Sequence, residues 1–261
     1  MLDQLIDIAQ GAGAVLLRYY GSLTTADADR KGGRRRDLVS AADVEAERWI
    51  LDRIPVEDDV LAEESGQRRV GSDRLWVVDP LDGTINFLHG LPFWCVSIAL
   101  VEDGELTAGV VHAPMLQMTF TAQRGAGTAL DGGLAAVSDV ADLSDAILAT
   151  GFPYARNTLA DNNLDNVPRV GAVAGGLRRF GSAALDLALV ACGRLDGFWE
   201  LHLEPWDVAA GILLVNESGG RVTDCAGNDD LSVLLHGRNL VATNGHVHTQ
   251  LRSLLAPLRD V

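Results

Sequence analysis

The chain has 261 residues, 48% hydrophobic and 22% charged, a balance that excludes an intrinsically disordered protein. Its 36 Asp and Glu against 21 Lys and Arg give a formal charge of −15. That excludes a general nucleic-acid binder, because affinity for a phosphate backbone is built on clustered positive charge. The length suits one compact unit with a sizeable core, organised here as an N-terminal half, residues 1–142, and a C-terminal half, residues 143–261.

Cys95, Cys192 and Cys225 lie far apart and form no CxxC pair, which fits small buried thiols in a reducing compartment. Met1-Leu2-Asp3-Gln4 carries no basic leader, and Gly, Asp or Glu interrupts every apolar run short of a membrane span. A cytoplasmic protein without membrane contact is expected. One lysine, Lys31, stands against twenty arginines, a skew that reflects genomic base composition.

Leu2 to Tyr20 carries apolar residues at helical spacing and stops at Gly21. Thr24 to Asp37, with Lys31 and Arg34-Arg35-Arg36, reads as a polar loop, and Ser40 to Asp43 as the start of a helix running through Val44 to Ile54. Short strands follow at Val60 to Ala62 and Leu75 to Val78, each ending in carboxylates. Cys95 to Val101, Leu106 to His112 and Met118 to Thr121 form an antiparallel meander, with Asp103-Gly104 as its first hairpin turn. An Ala/Gly/Asp-rich stretch from Arg124 to Asp142 separates this meander from the second half. There, strands at Ala146 to Thr150, Gly197 to Leu201, Arg221 to Asp224 and Leu240 to Thr243 alternate with helices at Ser182 to Cys192, Trp206 to Ser218 and the C-terminus. The pattern indicates layered α+β and α/β halves.

The chemistry gathers at Asp79-Pro80-Leu81-Asp82-Gly83-Thr84. Two carboxylates so close repel unless protons or cations lie between them. Gly83 and Thr84 open a helix whose amides suit a phosphate. Taken alone, the segment is equally compatible with a turn in which Asp82 caps a helix and Asp79 pairs with an arginine. It is accompanied by Glu63-Glu64 after one strand and Asp207 at a helix start, and three acidic ends together point to oxygen-ligated divalent metals. No His pair has metal-site spacing, and His246 and His248 are expected at the surface.

These segments resemble the inositol monophosphatase family of magnesium-dependent, lithium-sensitive phosphatases. The resemblance rests on Asp79 through Phe87 and on Trp206-Asp207-Val208-Ala209-Ala210-Gly211 through Glu217-Ser218-Gly219-Gly220, with further matches at Asp37 to Asp43, Glu63 to Ser65, Gly151 to Tyr154 and Gly181 to Ala184. It implies a layered αβαβα sandwich with the site between its halves, and a homodimer. It further implies two or three Mg²⁺ ions held by Glu63, Asp79, Asp82, Asp207 and the Leu81 carbonyl. Thr84, tied to Asp43 or Glu63, would orient the attacking water, and the Gly83 and Thr84 amides would hold the phosphate. Gly181, Ser182, Ala183 and Glu200 would contact the substrate, whereas Glu204 is given no role.

The implied activity is hydrolysis of a small polyol phosphate, inositol 1-phosphate first. Histidinol phosphate and fructose 1,6-bisphosphate are the alternatives within the family, and a partner-binding regulatory protein is the alternative outside enzymology.

Overall fold

The computed structural model describes residues 1–30, 38–235 and 239–255; Lys31 and Arg34 to Asp37 lie outside them. Helix α1 (Leu2–Tyr19) precedes a small antiparallel pair, β1 (Asp29–Arg30) and β2 (Leu38–Val39), and then α2 (Ala41–Leu51). A first sheet follows: β3 (Asp59–Ala62), β4 (Gly66–Arg68), β5 (Arg74–Asp82), the short helix α3 (Thr84–Leu88), β6 (Cys95–Glu102), β7 (Glu105–Ala113), β8 (Met118–Gln123), β9 (Gly127–Leu130) and β10 (Gly133–Ala135). The second half contains β11 (Ile147–Thr150), α4 (Asn166–Gly171), β12 (Gly176–Arg178), α5 (Ala183–Ala191), β13 (Gly197–Leu201), α6 (Pro205–Glu217), β14 (Arg221–Thr223), α7 (Leu231–Leu235), β15 (Asn239–Thr243) and α8 (His248–Leu254). Strand order is β10-β9-β8-β7-β6-β5-β3-β4 in the large sheet and β12-β11-β13-β15-β14 in the small one.

Side-chain alternation shows why these strands read as nearly continuous apolar runs. On β5, Trp76 and Val78 face a core shared with α1 and α2, while Leu75 and Val77 face one shared with α5 and α6. On the small sheet, Phe198 and Leu240 join that same central core, while Trp199 and Val241 face α8. Both sheets are therefore buried on both faces, and the layers run helix, sheet, helix, sheet, helix. The fold is the layered αβαβα sandwich.

The β6–β7 turn is the two-residue hairpin anticipated at Asp103-Gly104, both with positive φ, 52° and 80°. The stretch from Arg124 to Asp142 is not merely a separator. It carries β9 and β10, the last two strands at one end of the large sheet. Among the described residues, no helix is long and apolar enough to cross a membrane.

Candidate active site

Strand pairing brings the acidic ends together. β3 runs parallel to β5 with Ala62 opposite Val78, and the Glu63 amide donates to the Val78 carbonyl at 3.2 Å, so Glu63 lies beside Asp79. β5 does not stop at Asp79 as the sequence suggests. After a register shift it continues to Asp82, which pairs with Cys95 on β6. Pro80, lacking an N–H, sits in that irregularity, where no ladder bond is lost. The Leu81 amide donates to Asp79 Oδ1 at 2.9 Å and fixes the bend. From the other half, α6 contributes Asp207 in its first turn, where the Glu204 amide donates to Asp207 Oδ2 at 2.7 Å. Carboxylate oxygens of Asp79, Asp82 and Asp207 all lie within 4.8 Å of one another. Glu63 and Leu81 line the same cavity of about 500 Å³, as do Gly83, Thr84 and Glu200.

The electrostatics follow from this convergence. Burial, then the charges of Glu63, Asp82 and Asp207, push the Asp79 carboxyl well above the ordinary range. Burial likewise raises Asp82 to about 6, opposed by hydrogen bonds from Ser182 and the Ala184 amide. Asp207 is raised by burial and by Asp82. Like charges enclosed together favour protonation or a bound cation. An all-oxygen donor set of this kind suits a hard divalent ion, so the residues present fit the metals the sequence implies.

Thr84 is buried, and its hydroxyl lies 3.1 Å from both Asp43 Oδ1 and the Leu81 carbonyl. The other Asp43 oxygen, Oδ2, accepts from the Ser40 amide and hydroxyl in the box that starts α2, so one carboxylate caps a helix and holds Thr84. Gly83 has φ 95°, and a Cβ there would fall 2.8 Å from the Phe93 carbonyl. Glycine is needed on both counts.

At the substrate side, Gly181, Ala183 and Glu200 line the cavity. Ser182 does not. It is 2% exposed, and its hydroxyl donates to Asp82 Oδ2 at 2.7 Å, beside the Ala184 amide at the same distance. The Glu200 carboxyl is pushed up to about 8 by burial, with Arg179 opposing the rise and Asp82 adding to it.

Three nearby residues escaped the sequence reading. Glu47, on the buried face of α2, accepts from the Glu64 and Ser65 amides, both at 2.8 Å, and so shapes the loop that follows Glu63. Its spacing of one helical turn from Asp43 was the available signal. Arg179 is the one Lys or Arg among the described residues of the lining. Asp186 is buried on α5, its carboxyl raised by burial and by Glu200 and Asp82.

Among the histidines, His246 is exposed, but His248 is fully buried between the hydroxyls of Thr223 and Thr243, both at 2.9 Å. The surface expectation for His248 fails because α8 turns it into the core beneath the small sheet.

Comparison with known proteins agrees with the geometry. The model of the "Inositol monophosphatase family" matches residues 1–260. An inositol-1-monophosphatase of Synechocystis is 43% identical over 262 residues, 98% of this chain and 88% of the relative. The Nus factor SuhB of Escherichia coli K12 is 41% identical over 264 residues, 100% of this chain and 96% of the relative. The crystal structure of the extragenic suppressor protein suhB from Bartonella henselae superposes with a TM-score of 0.89 at 41% identity, covering 97% of each chain. The chain belongs to the inositol monophosphatase family, whose members are metal-dependent phosphatases.

Proposed function

We propose that the protein hydrolyses the phosphate monoester of a small polyol, inositol 1-phosphate first, in a Mg²⁺-dependent reaction with water. The observation that carries this reading is the meeting of Asp79, Asp82 and Asp207 within 4.8 Å. With Glu63 and the Leu81 carbonyl, they are the residues that would hold two or three Mg²⁺ ions. Bound there, the ions supply a more acidic water and neutralise charge on the phosphate and the departing alkoxide.

The chain's own groups do the rest. When the Thr84 proton goes to Asp43 or to the Leu81 carbonyl, its oxygen keeps lone pairs that can accept from the attacking water and aim it. The Gly83 and Thr84 amides bind phosphate oxygens, and Glu200 meets the polyol hydroxyls beside Gly181 and Ala183. Residues 1–142 and 143–261 work as one unit in this reading, because Asp207 comes from the second half and the other carboxylates from the first. A homodimer is part of the proposal and is read by sedimentation.

The similarity to an inositol-1-monophosphatase supports inositol over the histidinol and fructose alternatives. The second reading, a partner-binding regulatory role, is favoured by similarity to a protein named as a Nus factor, and it is compatible with a working site.

The test is phosphate release from inositol 1-phosphate, histidinol phosphate and fructose 1,6-bisphosphate, with and without Mg²⁺. Release from none of them refutes the enzyme reading. Full turnover by Asp82→Asn would refute the metal assignment.

A further inference from the structure

β11 and β13 are parallel, with Thr150 opposite Trp199, so the next residues along, Gly151 and Glu200, are neighbours where the sheet opens into the cavity. A Cβ built on Gly151 would overlap all three atoms of the Glu200 carboxylate, Cδ, Oε1 and Oε2. The backbone of Gly151 is not in the left-handed region, so its conformation is open to alanine. The carboxylate supplies the three closest atoms to such a Cβ.

The backbone at Gly151 has no room to retreat. Asn163 Nδ2 donates to the Gly151 carbonyl at 2.7 Å and to Thr150 Oγ1 at 2.9 Å, and Thr150 Oγ1 donates to the Trp199 carbonyl at 2.7 Å. Asn163 Oδ1 in turn accepts from Trp199 Nε1 at 2.8 Å and Asn166 Nδ2 at 3.0 Å. All of these residues are buried, and a fully satisfied buried network of this kind resists displacement. Of the two colliding groups, the Glu200 side chain is the one that can move, because it borders open cavity.

We infer that Gly151 is a specificity-determining position: its missing side chain is the space in which the Glu200 carboxylate lies, so the residue at 151 decides whether a carboxylate is presented to the substrate's hydroxyl-bearing end. The inference rests on the polyol reading of the site. The three atoms nearest a Cβ at 151 all belong to Glu200 and none to the acidic cluster on β5 and α6 or to the Gly83-Thr84 turn. A Cβ at 151 therefore acts first on Glu200, and through it on the leaving-group end of the substrate.

The experiment is a double-mutant cycle with Gly151→Ala, Glu200→Ala and the double variant, each in Mg²⁺. Two quantities are read: the ratio of kcat/KM for inositol 1-phosphate to that for p-nitrophenyl phosphate, and Tm. The aryl phosphate has no hydroxyl for Glu200 to meet. Misplacing one carboxyl that hydrogen-bonds the substrate should lower the ratio roughly tenfold in Gly151→Ala. In the Glu200→Ala background the same substitution should change the ratio by less than about twofold, because the colliding group is gone. Tm should fall with Gly151→Ala alone and recover when Glu200→Ala is added to it.

Equal losses in both backgrounds, or no loss in either, would overturn the inference, since either result uncouples Gly151 from Glu200. Failure of the polyol reading shows separately, as wild-type protein that releases no phosphate from inositol 1-phosphate. The selectivity role then falls with that reading, whereas a flat Tm cycle refutes the packing claim even with activity intact.

Discussion

Removing the Ser182 hydroxyl tests whether this residue serves the substrate or the metal. Its Oγ donates to Asp82 Oδ2 at 2.7 Å, it is 2% exposed, and it does not line the cavity. In Ser182→Ala that oxygen keeps the Ala184 amide at 2.7 Å and the longer contact from the Cys95 thiol at 3.9 Å. A hydrogen bond to a charged group contributes ~1.5–3 kcal/mol, and with these donors retained the loss should sit at the low end, ~1.5 kcal/mol. If Asp82 ligates Mg²⁺, that converts to about a tenfold weaker metal affinity, within the range found when a ligand's supporting hydrogen bond is removed.

Two assays read this change: phosphate release as a function of Mg²⁺ at saturating substrate, and the Mg²⁺-induced rise in Tm. The half-saturating Mg²⁺ concentration should increase about tenfold, with most of kcat restored at high Mg²⁺ and KM little changed. An unchanged Mg²⁺ response together with a raised KM for the polyol phosphate would refute the reasoning. It would return Ser182 to the substrate contact that the sequence suggests.

Metal-free stability should fall as pH rises, and the stabilisation added by metal should grow. The carboxyls of Asp79, Asp82 at about 6, Asp207 and Glu200 at about 8 are raised in the fold, so the folded state holds protons that an unfolded chain releases near pH 4. Native protein then binds more protons than unfolded protein, and stability falls as pH rises from about 4 to 8. In EDTA, Tm at pH 8 should lie below Tm at pH 5 by several degrees; Mg²⁺ should raise Tm more at pH 8 than at pH 5, because it displaces the same protons. A Tm in EDTA that rises across this range would contradict the assignment. Thr84→Val should reduce kcat about a hundredfold while keeping the Mg²⁺-induced rise in Tm, and loss of both would show a structural role instead. Gly83→Ala combines a strained φ with a Cβ 2.8 Å from the Phe93 carbonyl; urea unfolding should show ~2 kcal/mol or more of lost stability.

Whether an element was legible in the sequence depended on whether its signal is local. The runs at Cys95 to Val101 and Leu240 to Thr243 are apolar because each sheet is covered on both sides, so composition alone marks them. β9 and β10 escaped because they sit at the sheet's edge, are rich in Gly and Ala, and leave Leu134 89% exposed, which removes the burial pattern a strand normally shows. The acidic segment from Asp79 to Thr84 was legible because its residues act on one another within one turn. The Ser182–Asp82 bond spans 100 positions, and the backing of the Glu63 loop by Glu47 is set by how α2 packs on β5, the neighbour of β3. Asp186 is different. A lone carboxylate inside Ala183-Ala184-Leu185-Asp186-Leu187-Ala188 is a visible anomaly, but only the fold shows that it faces the same charges as Glu200.

The formal charge of −15 takes on structural content from this arrangement. Each carboxylate is placed by a local feature: a strand end, a bend at Pro80, the first turn of a helix. Glu63, Asp79 and Asp82 already repel within the first half, and Asp207 adds to that repulsion when the second half packs against it. Burying the cluster therefore carries an electrostatic cost, which protons offset in the absence of metal, because burial and mutual repulsion raise their affinity. The metal-free protein at neutral pH thus carries less than its formal negative charge. Binding of a divalent cation must then release protons, and the number released, measured as a dependence of binding heat on buffer ionisation, counts how many of the carboxyls the metal takes over.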